Sequence, residues 1–210
     1  MAVPIVSVVG NSESGKTTLI EKLIPEIKKR GYRVGSVKHA REINVDKGKD
    51  SQRHLTAGSE ETILAGPGQI ILFKRAGEPT IEEVGQMFDS DLDLILCEGF
   101  KNTNLPKIEV YRKGYGTLLD GLTSVFAIVS DEKLEVKTRQ FKTGEIEAIV
   151  DLLEKGFIQP NREWLDLFVN GKQVPLTIFP KQFITDVVLA MTLSLKGIEP
   201  IKTLEIKLKK

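Results

Sequence analysis

Cysteine is nearly absent from this chain: Cys97 stands alone among 210 residues, inside an apolar run. A disulfide framework is therefore excluded, and Cys97 reads as a small buried core residue. Histidine is almost as scarce. His39 and His54, together with one cysteine, do not make a zinc site. No Ser-His-Asp spacing and no flavin motif occurs. An excess of one charge is missing too: thirty bases face twenty-nine acids, for a net charge of +1. That balance excludes a general polyanion-binding surface, so no nucleic-acid partner is expected. No apolar run reaches the roughly 18 residues that a membrane helix needs. No basic leader precedes the first apolar stretch, and a cytoplasmic protein without membrane contact is the expectation. What remains is ordinary: 40% hydrophobic and 28% charged residues, enough for one globular domain and a small appendage.

The stretch that carries chemistry is Gly10-Asn11-Ser12-Glu13-Ser14-Gly15-Lys16-Thr17-Thr18, which reads G-x-x-x-x-G-K-T. The run Ile5–Val9 before it fits a buried parallel strand. After it, Leu19, Ile20, Leu23, Ile24 and Ile27 repeat at helical spacing. Strand, glycine loop and helix are the context in which this motif holds phosphate. Gly10 and Gly15 let the backbone bend close to phosphate oxygens, and loop N–H groups and the helix N-terminus then point at the anion. Lys16 is expected at the β- and γ-phosphates and the Thr17 hydroxyl on Mg²⁺. Glu13, badly placed beside phosphates, is expected to point outward.

The following segments alternate strands and helices. A helix is predicted over Lys16 to Arg30, kinked at Pro25 and ended by Gly31. Tyr32 to Lys38 reads as a second strand, parallel and adjacent to the first by the right-handed crossover rule. Residues 40 to 51 are polar: a solvated loop, or part of a site, since they follow a strand on the ligand edge of the sheet. A short helix over Gln52 to Ala57 precedes two strands, Thr62–Ala65 and Gln69–Phe73. Gly-Pro-Gly between them predicts a hairpin. Thr80 and Glu83 form a capping box for a helix through Phe88. Leu92–Cys97 is a buried strand ending in Glu98-Gly99. Its terminal acid is either a solvated carboxylate or the second acidic contact to Mg²⁺, acting through water. Lys16 and Glu98 are thus the catalytic candidates. Ile108–Arg112 and Ser124–Val129 are further strands. Asp131, after the second of these, is either a turn former or a base-reading acid, and no N-K-x-D motif decides it. Gly144 to Lys155 is an amphipathic helix.

Residues 156 to 163 read as a linker between a nucleotide-binding domain at 1–155 and a small extension at 164–210. In the extension, Asn170-Gly171 predicts a hairpin, Lys181–Lys196 a helix and Leu204–Leu208 a strand. The expected architecture is α/β: a phosphate-loop NTPase-like three-layer fold with a mostly parallel sheet, plus a C-terminal β-β-α-β unit.

Lys38, His39, Lys49, Arg53 and Lys101 fall in segments assigned to the carboxyl edge of the sheet. The phosphate loop needs only Lys16, so these cations ask for a second anionic ligand or form a solvated basic rim.

Taken in order, Gly10-x4-Gly-Lys-Thr-Thr-Leu19, Val37-Lys-His39, Asp46-Lys-Gly-Lys-Asp-Ser51, Arg53-His54, Glu98-Gly-Phe-Lys101 and Pro106-Lys-Ile-Glu-Val110 resemble the MobB family. These are molybdopterin-guanine dinucleotide biosynthesis adapter proteins. The resemblance covers residues 1 to about 155 and leaves the extension without a carried-over role. It implies a GTP-binding homodimer with weak GTPase activity. Such a protein assists the MobA-like guanylyltransferase that joins GMP to the molybdenum cofactor. It adds Asp46 to Thr17 and Glu98 as the Mg²⁺ set, and it makes a molybdopterin cofactor the anion for the basic rim. The residues alone give only a nucleoside triphosphate and Mg²⁺. They leave open a small-molecule kinase of the same fold, although the arginines Arg53, Arg75 and Arg112 are too dispersed to form a typical kinase lid.

Overall fold

A computed structural model describes residues 3–40, 50–88, 91–162, 165, 167–174, 176, 178–195, 197, 201 and 204–206. The chain divides into two compact units, Ala2–Ile158 and Gln159–Lys210.

In the first unit the run IVSVV forms strand β1 (Ile5–Val9), with Val6 and Val8 fully buried. The glycine loop leads into helix α1 (Lys16–Lys29), which buries Leu19, Ile20, Leu23 and Ile27 on one face. Pro25, expected to kink the helix, lies on its exposed side, and α1 runs on as one element to Lys29. The bond that Pro25 cannot donate is lost where water reaches the orphaned carbonyl. Gly31, at φ 81°, closes the helix with its N–H on the Lys28 carbonyl. Strand β2 (Val34–Lys38) follows. Helix α2 (Asp50–Thr56) packs against the hairpin of β3 (Glu61–Gly66) and β4 (Gln69–Lys74), which pairs from Glu61↔Lys74 to Gly66↔Gln69 across Pro67-Gly68. Helix α3 (Ile81–Gly85) starts at the expected capping box. The Glu83 N–H reaches Thr80 Oγ1, and the Glu83 carboxylate accepts from the Thr80 N–H.

Strands β5 (Leu94–Glu98), β6 (Lys107–Val110), β7 (Val125–Val129) and β8 (Arg139–Phe141) complete a parallel sheet in the order β2-β5-β1-β6-β7-β8. β2 is parallel to β1 but not its neighbour, because β5 lies between them. The burial of each strand explains the order. Leu94, Ile95, Leu96 and Cys97 are inaccessible on both faces and belong in the centre, whereas β2, with Gly35, Ser36 and Lys38, can occupy an edge.

The two faces of this sheet differ. One carries Val6, Val8, Leu94, Leu96, Ile108, Val110, Ala127 and Val129 against α1 and helix α4 (Ile146–Leu153) in a single apolar core. The other face holds Ser7, Cys97, Lys107 and Glu109, all buried. It is covered by α3, whose Gly85 abuts Ile5, and by the irregular segment between β5 and β7. Buried polar side chains there satisfy loop backbone groups. Ser7 Oγ donates to the Gly99 carbonyl, and Glu109 accepts from the Leu119 N–H at 2.6 Å. Lys107 Nζ donates to the carbonyls of Thr103, Leu105 and Thr123 at 2.5, 2.9 and 3.2 Å.

Residues 156 to 163, expected as a linker, continue the helical path through residue 162. A wide π-helical turn (Glu154–Ile158) leads into α5 (Gln159–Arg162). Phe157 tilts against Phe126 at 5.1 Å and Ile158 is fully buried, so apolar anchors carry the first unit past Gly156 to its end at Ile158. In the second unit, β9 (Leu167–Val169) and β10 (Lys172–Val174) form the expected antiparallel hairpin, with Asn170 and Gly171 both at positive φ. Helix α6 (Ile178–Leu193) follows. Leu204–Ile206, the described part of the expected last strand, is irregular. Among the described residues no helix is long and apolar enough to cross a membrane.

Candidate phosphate-loop site

The carboxyl ends of β1, β2, β5, β6 and β7 converge on the loop at residues 10–18. Gly10 adopts φ 147°, and a Cβ there would lie 2.3 Å from the Val110 carbonyl oxygen, so only glycine fits against β6. Gly15, at φ 102°, caps α1 in the left-handed region without a side-chain bond. Glu13 is exposed at φ 60°. Ser14 Oγ is buried and has no hydrogen-bond partner among the described residues. Lys16 Nζ turns back onto the Asn11 carbonyl at 2.6 Å. Burial lowers the pKa of this ammonium, Glu98 opposes that shift, and Lys38 adds to it. Buried hydroxyl, ammonium and helix start together make a cradle for an anion.

Thr17 Oγ1 donates to Glu98 Oε2 at 2.7 Å, and Lys38 Nζ lies 3.4 Å from Glu98 Oε1. Strand register brings this about, since Lys38 pairs with Glu98 at the ends of β2 and β5. The His39 N–H extends the ladder to the Glu98 carbonyl at 2.9 Å. Its ring tilts against Phe100 at 4.7 Å, with Phe100 itself at φ 54°. Lys101 follows in an exposed turn. Of the other cations expected at this edge, Arg53 sits on α2, which packs on the β3–β4 hairpin. Asp46 and Lys49 lie outside the described residues. Among the described residues no cluster of three or more His, Cys, Asp or Glu side chains forms.

Beside the loop opens a cavity of about 430 Å³, lined by Ser14 and Gly15 of the loop and by Asp131, Glu132 and Thr143. Asp131 Oδ1 accepts from the Thr143 N–H and hydroxyl at 3.0 and 2.7 Å, and Oδ2 lies 2.8 Å from the same hydroxyl. These bonds hold its pKa below the usual carboxylate range. Arg112 and Lys113 line the wall, with the Arg112 guanidinium 4.7 Å over the Tyr115 ring. A strap of chain after β6 touches the phosphate loop. Asn11 Nδ2 donates to the Thr117 carbonyl at 2.6 Å, and Gly116, at φ 113°, lies so close to the Asn11 side chain that a Cβ there would displace it.

Sequence reading missed Arg112, Lys113, Glu132 and Thr143. The strand-end rule that found Lys38 and Glu98 also applies to Arg112 and Lys113 after β6. Thr143 follows β8, a three-residue strand with no pattern to announce it.

The family described as molybdopterin guanine dinucleotide synthesis protein B, MobB, matches this chain over residues 5–131. The molybdopterin-guanine dinucleotide biosynthesis adapter protein of Haemophilus influenzae is 38% identical over 157 residues, covering 72% of this chain and 88% of its own. A Methanocaldococcus jannaschii relative is 27% identical over 233 residues and covers 97% of both chains, so its match extends into the C-terminal unit. The crystal structure of molybdopterin-guanine biosynthesis protein B aligns with a TM-score of 0.59 at 28% identity, over 72% of this chain and 97% of that one. Fold, loop and sequence agree, and the chain belongs to the MobB family.

Proposed function

We propose that this protein binds GTP with Mg²⁺ on the loop at residues 10–18, hydrolyses it slowly, and acts as an adapter for a MobA-like guanylyltransferase. Family membership supports the adapter role in molybdopterin guanine dinucleotide biosynthesis. The observation that carries the nucleotide reading is the loop itself, where Ser14 Oγ is buried unpartnered beside the Lys16 ammonium at the start of α1. A phosphate oxygen is the acceptor this arrangement lacks. Thr17 and Glu98 fit Mg²⁺, directly or through water, with Asp46 in the same expected set. When bound, the ion neutralises charge on the β- and γ-phosphates. Lys16 then moves its ammonium from the Asn11 carbonyl to those phosphates, and Glu98 orients a water.

Lys38, His39 and Lys101 at the same edge support a second anionic ligand, a molybdopterin cofactor, to which Lys49 and Arg53 are also assigned. The β3–β4 hairpin exposes Ile63, Ile70 and Leu72, which supports a second copy of the chain as partner. Titration of GTP and ATP in the presence of Mg²⁺ tests the central claim. Tighter GTP binding with slow hydrolysis in the absence of any acceptor is expected. Failure of both nucleotides to bind overturns the reading, and phosphate transfer to a small acceptor without hydrolysis turns it toward a kinase.

A further inference from the structure

We infer that Glu132 reads the base of the bound nucleotide and selects guanine, while the adjacent Asp131 braces the turn. The inference rests on the nucleotide reading above and adds the source of base choice.

Guanine presents two adjacent donors on its Watson–Crick edge, N1–H and the N2 amine. Adenine presents an acceptor, N1, beside a donor. A carboxylate only accepts, so it matches guanine twice and opposes the adenine lone pair. Two carboxylates line the cavity, and their surroundings separate their roles. Both oxygens of Asp131 are engaged by Thr143, which ties the end of β7 to the residues before α4. Those bonds commit Asp131 to holding the turn.

Glu132 is arranged the opposite way. Its backbone is fixed: its N–H donates to Ser130 Oγ at 3.1 Å, and Gln140 Nε2 donates to its carbonyl. Gln140 Oε1 in turn accepts the Leu134 N–H at 3.0 Å, so one side chain spans the turn from Glu132 to Leu134. The Glu132 carboxylate itself has one contact among the described residues, 3.7 Å to Lys113, a lysine whose side chain is 78% exposed. A pair that long and that exposed holds the acid weakly. The result is a hydrogen-bonded turn that carries an underused acceptor on a residue lining the same cavity as Ser14 and Gly15. The flat Arg112 guanidinium, stacked on Tyr115, lines the same cavity and offers a face on which a purine can stack.

The test is equilibrium titration of the full-length protein with GTP, ITP and ATP in the presence of Mg²⁺, for wild type, Glu132→Ala and Glu132→Gln. Wild type is expected to prefer GTP to ATP, with ITP, which lacks the N2 amine, between them. Each variant is expected to lose GTP affinity by about tenfold or more, the usual consequence of losing charge-assisted bonds, with ATP affinity equal to wild type or tighter, since the carboxylate that opposes the adenine lone pair is gone. ATP binding also reports that the variant is folded. A GTP-to-ATP ratio that survives in both variants overturns the assignment to Glu132 and leaves nucleotide binding intact. A wild type that binds none of the three overturns the nucleotide reading, and this inference with it.

Discussion

Thr17 Oγ1 and Glu98 Oε2 meet at 2.7 Å, so the first turn of α1 and the last residue of β5 are joined across 81 positions of sequence. The other Glu98 oxygen faces Lys38 at 3.4 Å. Glu98→Gln keeps the shape and removes the charge. Hydrolysis should fall by about 100-fold or more, as expected for loss of a group that orients or deprotonates water, and GTP affinity should stay within a few-fold. Single-turnover hydrolysis beside an equilibrium titration checks both. Wild-type turnover in the variant would remove Glu98 from the chemistry.

Lys16 makes its one described hydrogen bond to the Asn11 carbonyl, so its removal costs the fold little. Lys16→Ala should retain the native circular dichroism spectrum and lose triphosphate affinity by about two orders of magnitude, since charge-assisted phosphate contacts are the strong ones. Unchanged affinity would show that the loop does not hold a triphosphate.

Lys107 should matter for stability. It is fully buried, burial lowers its pKa, and its ammonium closes three carbonyls of the irregular segment. Lys107→Met fills similar volume but strands those acceptors. The expected loss is about 3 kcal/mol or more in urea unfolding, at roughly 1–3 kcal/mol per unsatisfied group. Wild-type stability would mean that water replaces the ammonium at no cost.

Glu109 carries a pH signature. Burial raises its carboxyl pKa, only partly offset by the Leu119 N–H. Because the folded value lies above the unfolded one, the native state favours the protonated acid. Stability is therefore greatest below the usual carboxylate range and falls as pH rises through the folded value. Glu109→Gln keeps an acceptor for Leu119 and removes this penalty. The variant should equal or exceed wild type at about pH 7, with the difference shrinking toward about pH 4. Urea curves at both values decide it, and a variant less stable at the higher pH would contradict the sign.

Cys97 has no accessible surface, and burial pushes its thiol pKa up to about 12. The native protein should resist thiol reagents and react only on unfolding. Fast stoichiometric labelling of the folded chain would contradict that burial.

Local chemistry in the sequence reached far where one residue type has one use. The Thr80–Glu83 capping box, the Asn170-Gly171 turn and the end of α1 at Gly31 were all legible for that reason. Strand order was not, because periodicity reports how much of a strand is buried, not which strand lies beside it. β5 consequently intervened between β1 and β2. Lys107 lies just outside the strand predicted from Ile108, because a charged residue carries no signal that three carbonyls will enclose it. Phe157 and Ile158 show the same limit from the other side: glycine announced an irregular stretch from residue 156, but two apolar anchors carry the first unit on to Ile158, where the division between the units falls. At the site, Lys38 and Glu98 were found because strand ends can be counted. Asp131 was noticed for its position, but its engagement by Thr143 depends on a pairing between distant segments.

The contact of Gly10 with the Val110 carbonyl has a thermodynamic consequence. The loop is set in place by one main chain resting on another, so its curvature comes from the sheet and not from any ligand. An anion bound there, as proposed, would meet a main chain already held by the sheet, and little ordering entropy would remain to oppose association.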